Sequence, residues 1–272
     1  MIEMKDIATR ADPPENCIRG LDGVLRCAKC GGIREMVIMK GKPGEMIVHP
    51  LCSCMAEERD RAENQKRRRS IERNRKSCFD GSGLEGCTFG SSEWSEQLWK
   101  AKRYADNFEA FYKRKTGLLL YGSVGTGKTH VAACVANALI DKGYKVRMTN
   151  FGSIVNNLQE SFQGRQKYID DLAENYKLLI IDDLGAERQS EFMKEQIFNV
   201  IDSRYRSGKP MIVTTNLTAE QLKKPEDVAS GRIYDRILER CHPLKIDGES
   251  MRRKKLREDF GEIEAMLKGE KQ

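Results

Sequence analysis

The sequence predicts an α/β protein with a central parallel sheet, preceded by a small cysteine-bearing module and a polar linker helix. Three observations carry that expectation. From about residue 91 onward, short apolar runs alternate with helix-length segments, the pattern of strands buried on both faces between covering helices. A glycine-rich loop stands between one such run and a helical stretch. Four cysteines fall within residues 27–54, in a stretch too poor in apolar residues to build a core without a staple.

Composition narrows the class. The 272 residues are 39% hydrophobic and 33% charged, against about 45–50% and 25% in an average chain. No apolar run approaches the ~20 residues needed to span a bilayer, which argues against a helical membrane protein, and no membrane partner is expected. The segment before Pro13-Pro14 mixes charges and lacks the apolar core of a secretory signal. The expected compartment is therefore the cytoplasm, where nine cysteines read as thiols and metal ligands rather than disulfides. Lys plus Arg number 48 and Asp plus Glu 41, a net +7. Most of that excess sits in residues 66–76, which hold seven basic residues and one acidic.

Along the chain, residues 1–54 read as a loop-rich module punctuated by Gly31-Gly32 and Pro43-Gly44, with a β-like run from Ile33 to Met39. Residues 55–90 read as a basic linker helix and turn. Positions 55–76 contain no Gly or Pro and few apolar residues, which describes a solvated bridging helix. Residues 91–272 form the main domain. Its strands are expected at Gly117–Tyr121, Tyr144–Asn150, Lys177–Ile181 and Pro210–Thr215.

The strongest motif is Gly122-Ser123-Val124-Gly125-Thr126-Gly127-Lys128-Thr129, a full match to GxxxxGK[ST] in the strand–loop–helix context that the motif requires. Its backbone N–H groups and the helix amino terminus can cradle phosphates. Lys128 would reach the β- and γ-phosphates of ATP, and the Thr129 hydroxyl would ligate Mg²⁺. About 50 residues further on, Leu178-Leu-Ile-Ile-Asp182-Asp183 describes a buried strand delivering two carboxylates to the phosphates. Asp182 would hold Mg²⁺, and Asp183 would polarise the attacking water. A third run ends in Asn216, placed to hold that water near the γ-phosphate.

Cys27 and Cys30, then Cys52 and Cys54, give C-x2-C followed after 21 residues by C-x-C. Four thiolates at that spacing can bind one tetrahedral Zn²⁺, with His49 as a substitute ligand and unmetallated thiols as the alternative. Cys134, in an apolar helical stretch, reads as a small core residue.

With the loop, IIDDLG and IVTTN in order, the sequence resembles the AAA+ ATPases, and most of all the bacterial and phage helicase loaders of the DnaC/DnaI type, whose sister group is IstB-like. Residues 178–217 carry the resemblance most specifically, and it extends over roughly residues 77–260. It implies that Asn216 is sensor 1 and that Arg236 is an arginine finger acting on ATP held by a neighbouring subunit. Arg252 would be sensor 2, although Met251 stands where the family has an aromatic residue, and Phe89 would border the adenine. It also implies a loader that self-associates with ATP on single-stranded DNA, its cysteine module contacting a replicative helicase. The aromatic and basic residues Phe151, Phe162, Arg165, Lys167 and Tyr168 lie where this family inserts a helix associated with single-stranded DNA; of these, Phe162, Arg165 and Lys167 are the DNA-binding candidates. Arg252-Arg253-Lys254-Lys255 forms a second basic cluster. Two alternatives stand beside the loader: an IstB-like ATPase helper of DNA transposition, and a zinc-containing, ATP-gated DNA-binding scaffold.

Overall fold

The computed structural model describes residues 16–39, 45–48, 50–160, 164–185, 191–248, 250 and parts of 256–267. Contacts within the chain divide it into two compact units, 1–69 and 70–272.

The first unit holds two antiparallel pairs. β1 (Cys17–Arg19) pairs with β2 (Leu25–Cys27), and β3 (Met36–Met39) with β4 (Glu45–Val48). Its buried apolar side chains among the described residues are Leu25, Cys27 and Cys52. Arg34, also buried, donates to the Pro50 carbonyl at 2.6 Å.

Helix α1 (Ser53–Phe79) spans 27 residues, and the division between the units falls inside it. From residue 56 to 70 the helix is exposed on every side, apart from half-buried patches at its start. The last turns differ from the solvated bridge expected from composition. Ile71, Cys78 and Phe79 recur at helical spacing and join the core of the second unit. Asn74 donates to the Tyr144 carbonyl at 2.6 Å, and Arg75 bonds Asn137 at 3.0 Å and pairs with Asp141.

The second unit is a five-stranded parallel sheet in the order β6-β7-β8-β5-β9, with β5 at Gly117–Tyr121, β6 at Val146–Asn150, β7 at Leu178–Leu184, β8 at Met211–Thr215 and β9 at Cys241–Lys245. Strand alternation sends Leu118 and Leu120 to one face and Leu119 to the other, which is why these runs are apolar throughout. On the first face lie α2 (Glu96–Asp106), α3 (Phe108–Lys113) and α4 (Lys128–Asp141). On the second lie α5 (Phe151–Glu160), α6 (Arg165–Glu174), α7 (Glu191–Ser207) and α9 (Val228–Arg240), with the short α8 at Ala219–Lys223. Cys78, Cys134 and Cys241 are buried in these two cores as small apolar residues.

Four expected strands are present, and β9 is an addition. Only Cys241 and Leu244 of β9 are buried; as an edge strand it carries too little apolar pattern to be read from sequence. Among the described residues, no helix is long and apolar enough to cross a membrane.

Candidate active site

The glycine-rich loop, Asp182, Asp183, Thr214 and Asn216 gather at the carboxyl ends of the parallel strands, where open α/β sheets bind ligands. β5 ends at Tyr121 and runs into the glycine-rich loop, which opens α4 at Lys128. Gly125 has φ +86°, and a Cβ there would stand 2.2 Å from the Ser250 hydroxyl. The loop can pass that hydroxyl only because the residue is glycine.

The loop lines a cavity of about 350 Å³ together with Asp182, Asp183, Thr214 and Asn216. Lys128 is buried and its ammonium donates to the Gly122 and Ser123 carbonyls at 3.0 and 2.7 Å. Thr129 donates to both oxygens of Asp182 at 3.0 Å. Burial pushes the Asp182 carboxyl above its ordinary range, against the pull of the Thr214 and Thr129 hydroxyls. A dication between Thr129 and Asp182 would relieve that cost, so these donors fit Mg²⁺.

A bulge in β7 between Ile181 and Leu184 shapes the second carboxylate. Asp183 sits at φ +60°, a left-handed conformation that costs a non-glycine residue about 1 kcal/mol or more. The Asp183 N–H donates to Thr214 Oγ1 at 2.8 Å, and Asn216 Nδ2 donates to Asp183 Oδ1 at 2.8 Å. Thr214 also donates to Asp182 Oδ1 at 2.6 Å. Strand alternation gives the signal for Thr214, two residues before Asn216 on the same face of the strand, and sequence reasoning passed over it.

His130, another lining residue, was also missed. Its Nε2 lies 2.7 Å from the Ser92 hydroxyl, and burial pulls its pKa below the usual value. Beside it, Thr88 caps a short 3-10 turn, Phe89–Ser91, and the buried Phe89 ring stacks on Trp94.

Arg236 does not line the cavity of its own chain. It projects from α9 and pairs with Asp202 of α7. Arg252 lies outside the described residues, as do Phe162 and His49. Ser250, the first residue of the expected Ser-x-Arg box, is the residue packed against Gly125. Among the described residues of the aromatic and basic stretch, Phe151 is buried, Tyr168 packs on the core, and Arg165 donates to the Leu158 carbonyl at 2.5 Å. Lys167 is exposed.

In the first unit, the sulfurs of Cys27, Cys30, Cys52 and Cys54 all lie within 4.8 Å of one another. Cys54 approaches Cys27 at 3.5 Å and Cys52 at 3.3 Å. Zn–S bonds of about 2.3 Å in a tetrahedron place sulfurs about 3.8 Å apart, so the donor set fits zinc without His49. Backbone N–H groups, that of Gly32 first, pull the Cys30 thiol down to about 6, while the crowding sulfurs, Cys52 first, push Cys54 up to about 12. Four thiolates this close repel one another unless a cation binds them.

Sheet order, phosphate loop and acidic strand end together define an ATP-binding domain of the AAA+ class. A family model described as "IstB-like ATP binding protein" matches residues 89–259, and the chain belongs to that family. It is 26% identical to the replicative helicase loader DnaI of Bacillus subtilis over 70% of this chain and 65% of DnaI. It is 28% identical to the replicative helicase loader DnaC of Escherichia coli over 52% of this chain and 56% of DnaC. The chain thus spans less than two thirds of either relative. Crystal structures agree on the fold: DnaI superposes with a TM-score of 0.51 at 26% identity, covering 60% of this chain and 89% of that one. The DnaC helicase loader gives 0.52 at 25% identity, covering 60% and 98%.

Proposed function

We propose that this protein hydrolyses ATP to load a replicative DNA helicase onto single-stranded DNA. The observation that carries the reading is the connected set Thr129–Asp182–Thr214–Asp183–Asn216 facing Lys128 across one cavity, in a chain similar to two proteins described as replicative helicase loaders.

Each side chain has a part in phosphoryl transfer. The loop amides and Lys128 bind the β- and γ-phosphates. Thr129 and Asp182 hold Mg²⁺, which when bound neutralises phosphate charge. Asp183, aimed by Asn216 and Thr214, accepts a proton from water as the water oxygen bonds the γ-phosphorus and the bond to ADP breaks. Arg236 would stabilise the developing charge on ATP held by a neighbouring copy, consistent with its absence from its own cavity. ATP-dependent self-association follows from that need. The four cysteines bind zinc as a staple, and residues 1–54 dock on the helicase. The basic stretch at 66–76, with Lys167, contacts DNA phosphates.

Two measurements test this reading. Arg236→Ala should abolish ATP hydrolysis while nucleotide affinity stays nearly intact; a large loss of affinity refutes the trans role. The full chain should retain a bacterial replicative helicase on affinity resin and stimulate its ATP-dependent unwinding of single-stranded circles bearing a duplex. A chain that hydrolyses ATP yet neither binds nor loads helicase is not a loader.

A further inference from the structure

Arg236 is held in a way that leaves part of it unused. Asp202 accepts its Nε–H at 2.5 Å, and its guanidinium carbon lies 4.7 Å from the Phe198 ring centroid and 5.7 Å from that of Tyr205. Phe198, Asp202 and Tyr205 recur at i, i+4 and i+7 on α7, so one helix face supplies every contact. Tyr205 is itself fixed, donating to the Glu239 carboxylate at 2.8 Å. Among the described residues, the hydrogen bond of Arg236 is made through Nε and none through the two terminal nitrogens, and its side chain is 27% exposed.

Asp202 is 8% exposed, and its second oxygen pairs with Arg206. Stability does not account for such a group, because a buried ion pair is often matched or bettered by apolar residues of similar volume. Its geometry does account for it. A guanidinium that grips a phosphate uses its planar fork of N–H donors. An acceptor on Nε fixes the plane and direction of that fork while sparing Nη1 and Nη2.

We propose that Asp202 is a positioning residue for Arg236: its buried carboxylate holds Nε so that the terminal nitrogens face the γ-phosphate of ATP bound by a neighbouring copy. This rests on the reading of Arg236 as a finger acting in trans.

A mixing experiment with full-length chains, ATP, Mg²⁺ and single-stranded DNA tests both layers separately. K128A cannot use ATP and R236A cannot supply the finger, so each is inactive alone. Their mixture regains hydrolysis, because Arg236 of one serves the site of the other. A misplacement of about 1 Å costs up to ~100-fold in rate. D202A on the K128A chain, which donates the finger, should therefore lower the regained rate about 10- to 100-fold. The KM for ATP should stay within about twofold, since the accepting site is untouched. On the R236A chain, which has no finger to hold, D202A should cost no more than about twofold.

Equal loss on both chains, or no loss on either, overturns the assignment to Asp202 and leaves the finger standing. No recovery in the parent mixture overturns the trans reading itself. Asp202→Asn, isosteric and still able to accept from Nε, should give a smaller loss with the same asymmetry. It serves as the test if thermal melting shows D202A unfolded at the assay temperature.

Discussion

Replacing Arg204 with methionine should cost about 3–4 kcal/mol of stability. The side chain is fully buried on α7, and its Nη1 donates to the carbonyls of Ala173 at 2.7 Å and Tyr176 at 2.9 Å. Nη2 donates to Pro210 at 2.7 Å and Lys177 at 3.2 Å. Burial lowers its pKa to about 10 from the ordinary 12.5, and it stays charged at neutral pH. Methionine fills the volume but donates nothing. Three short bonds are lost, and each carbonyl left dry costs about 1–3 kcal/mol. Apolar burial of the new side chain returns about 1.5–3 kcal/mol. At 2–4 °C per kcal/mol for a domain of this size, the melting temperature should fall by roughly 10 °C. Urea unfolding followed by circular dichroism measures the loss, with an unchanged m-value showing that the transition is the same one. A loss below about 1 kcal/mol would refute the reasoning, because it would mean that desolvation of the guanidinium already cancels its bonds.

Three other outcomes are expected. Gly117→Ala should destabilise by about 3 kcal/mol or more in the same urea assay, because its Cβ would stand 1.7 Å from the Met211 carbonyl oxygen of the neighbouring strand. Asp227→Ala should cost about 1 kcal/mol at pH 7 by removing the cap of α9. The Ser230 N–H first, then Lys194, hold the Asp227 carboxyl down at about 2, below its ordinary 3.8. Its folded pKa is depressed, so the contribution is present above pH ~4 and shrinks as pH falls toward 2; a difference that grew with acid would contradict the assigned cap. Metal analysis of the purified chain should find about one zinc, and chelation should perturb residues 16–54 while ATP affinity stays within about twofold, because the phosphate loop belongs to the other compact unit.

Much of this molecule was legible because its chemistry is local in sequence. The phosphate loop sits between its own strand and helix, and a run of four apolar residues delivers Asp182 wherever it pairs. The two cysteine pairs carry their spacing with them, and their sulfurs converge. What escaped was what depends on partners far along the chain. β9 exists because β5 accepts it as an edge neighbour, and nothing in CHPLK announces that. Thr214 matters only once β8 lies beside β7 and its hydroxyl meets both aspartates. The helix read as solvated to residue 76 and as turns beyond it, yet α1 runs on to Phe79, and Ile71, Cys78 and Phe79 share one side that found a core. The bond from Arg165 Nε–H to the Leu158 carbonyl likewise depends on a partner that its own charge does not announce.

Arg204 and Asp202 show why a helix between two sites needs polar residues inside. They stand two positions apart on α7, about 200° around the helix axis, and so face different neighbours. Arg204 ties α7 to the chain entering β7 and β8, at Lys177 and Pro210. Those two strands end, at their other limits, in Asp182, Asp183 and Thr214, with Asn216 just beyond. Asp202 ties the same helix to α9 through Arg236. An apolar residue at either position could supply burial but not direction, since apolar contacts fix area rather than orientation. The two charges therefore register one rigid element against the strands that carry Asp182 and Asp183 and against the helix that carries Arg236. If that is their use, Arg204→Lys should fail to restore wild-type stability, because one ammonium cannot span carbonyls on α6 and on the segments entering β7 and β8 as a planar fork does. A lysine variant that melts with the wild type would show that charge alone suffices there.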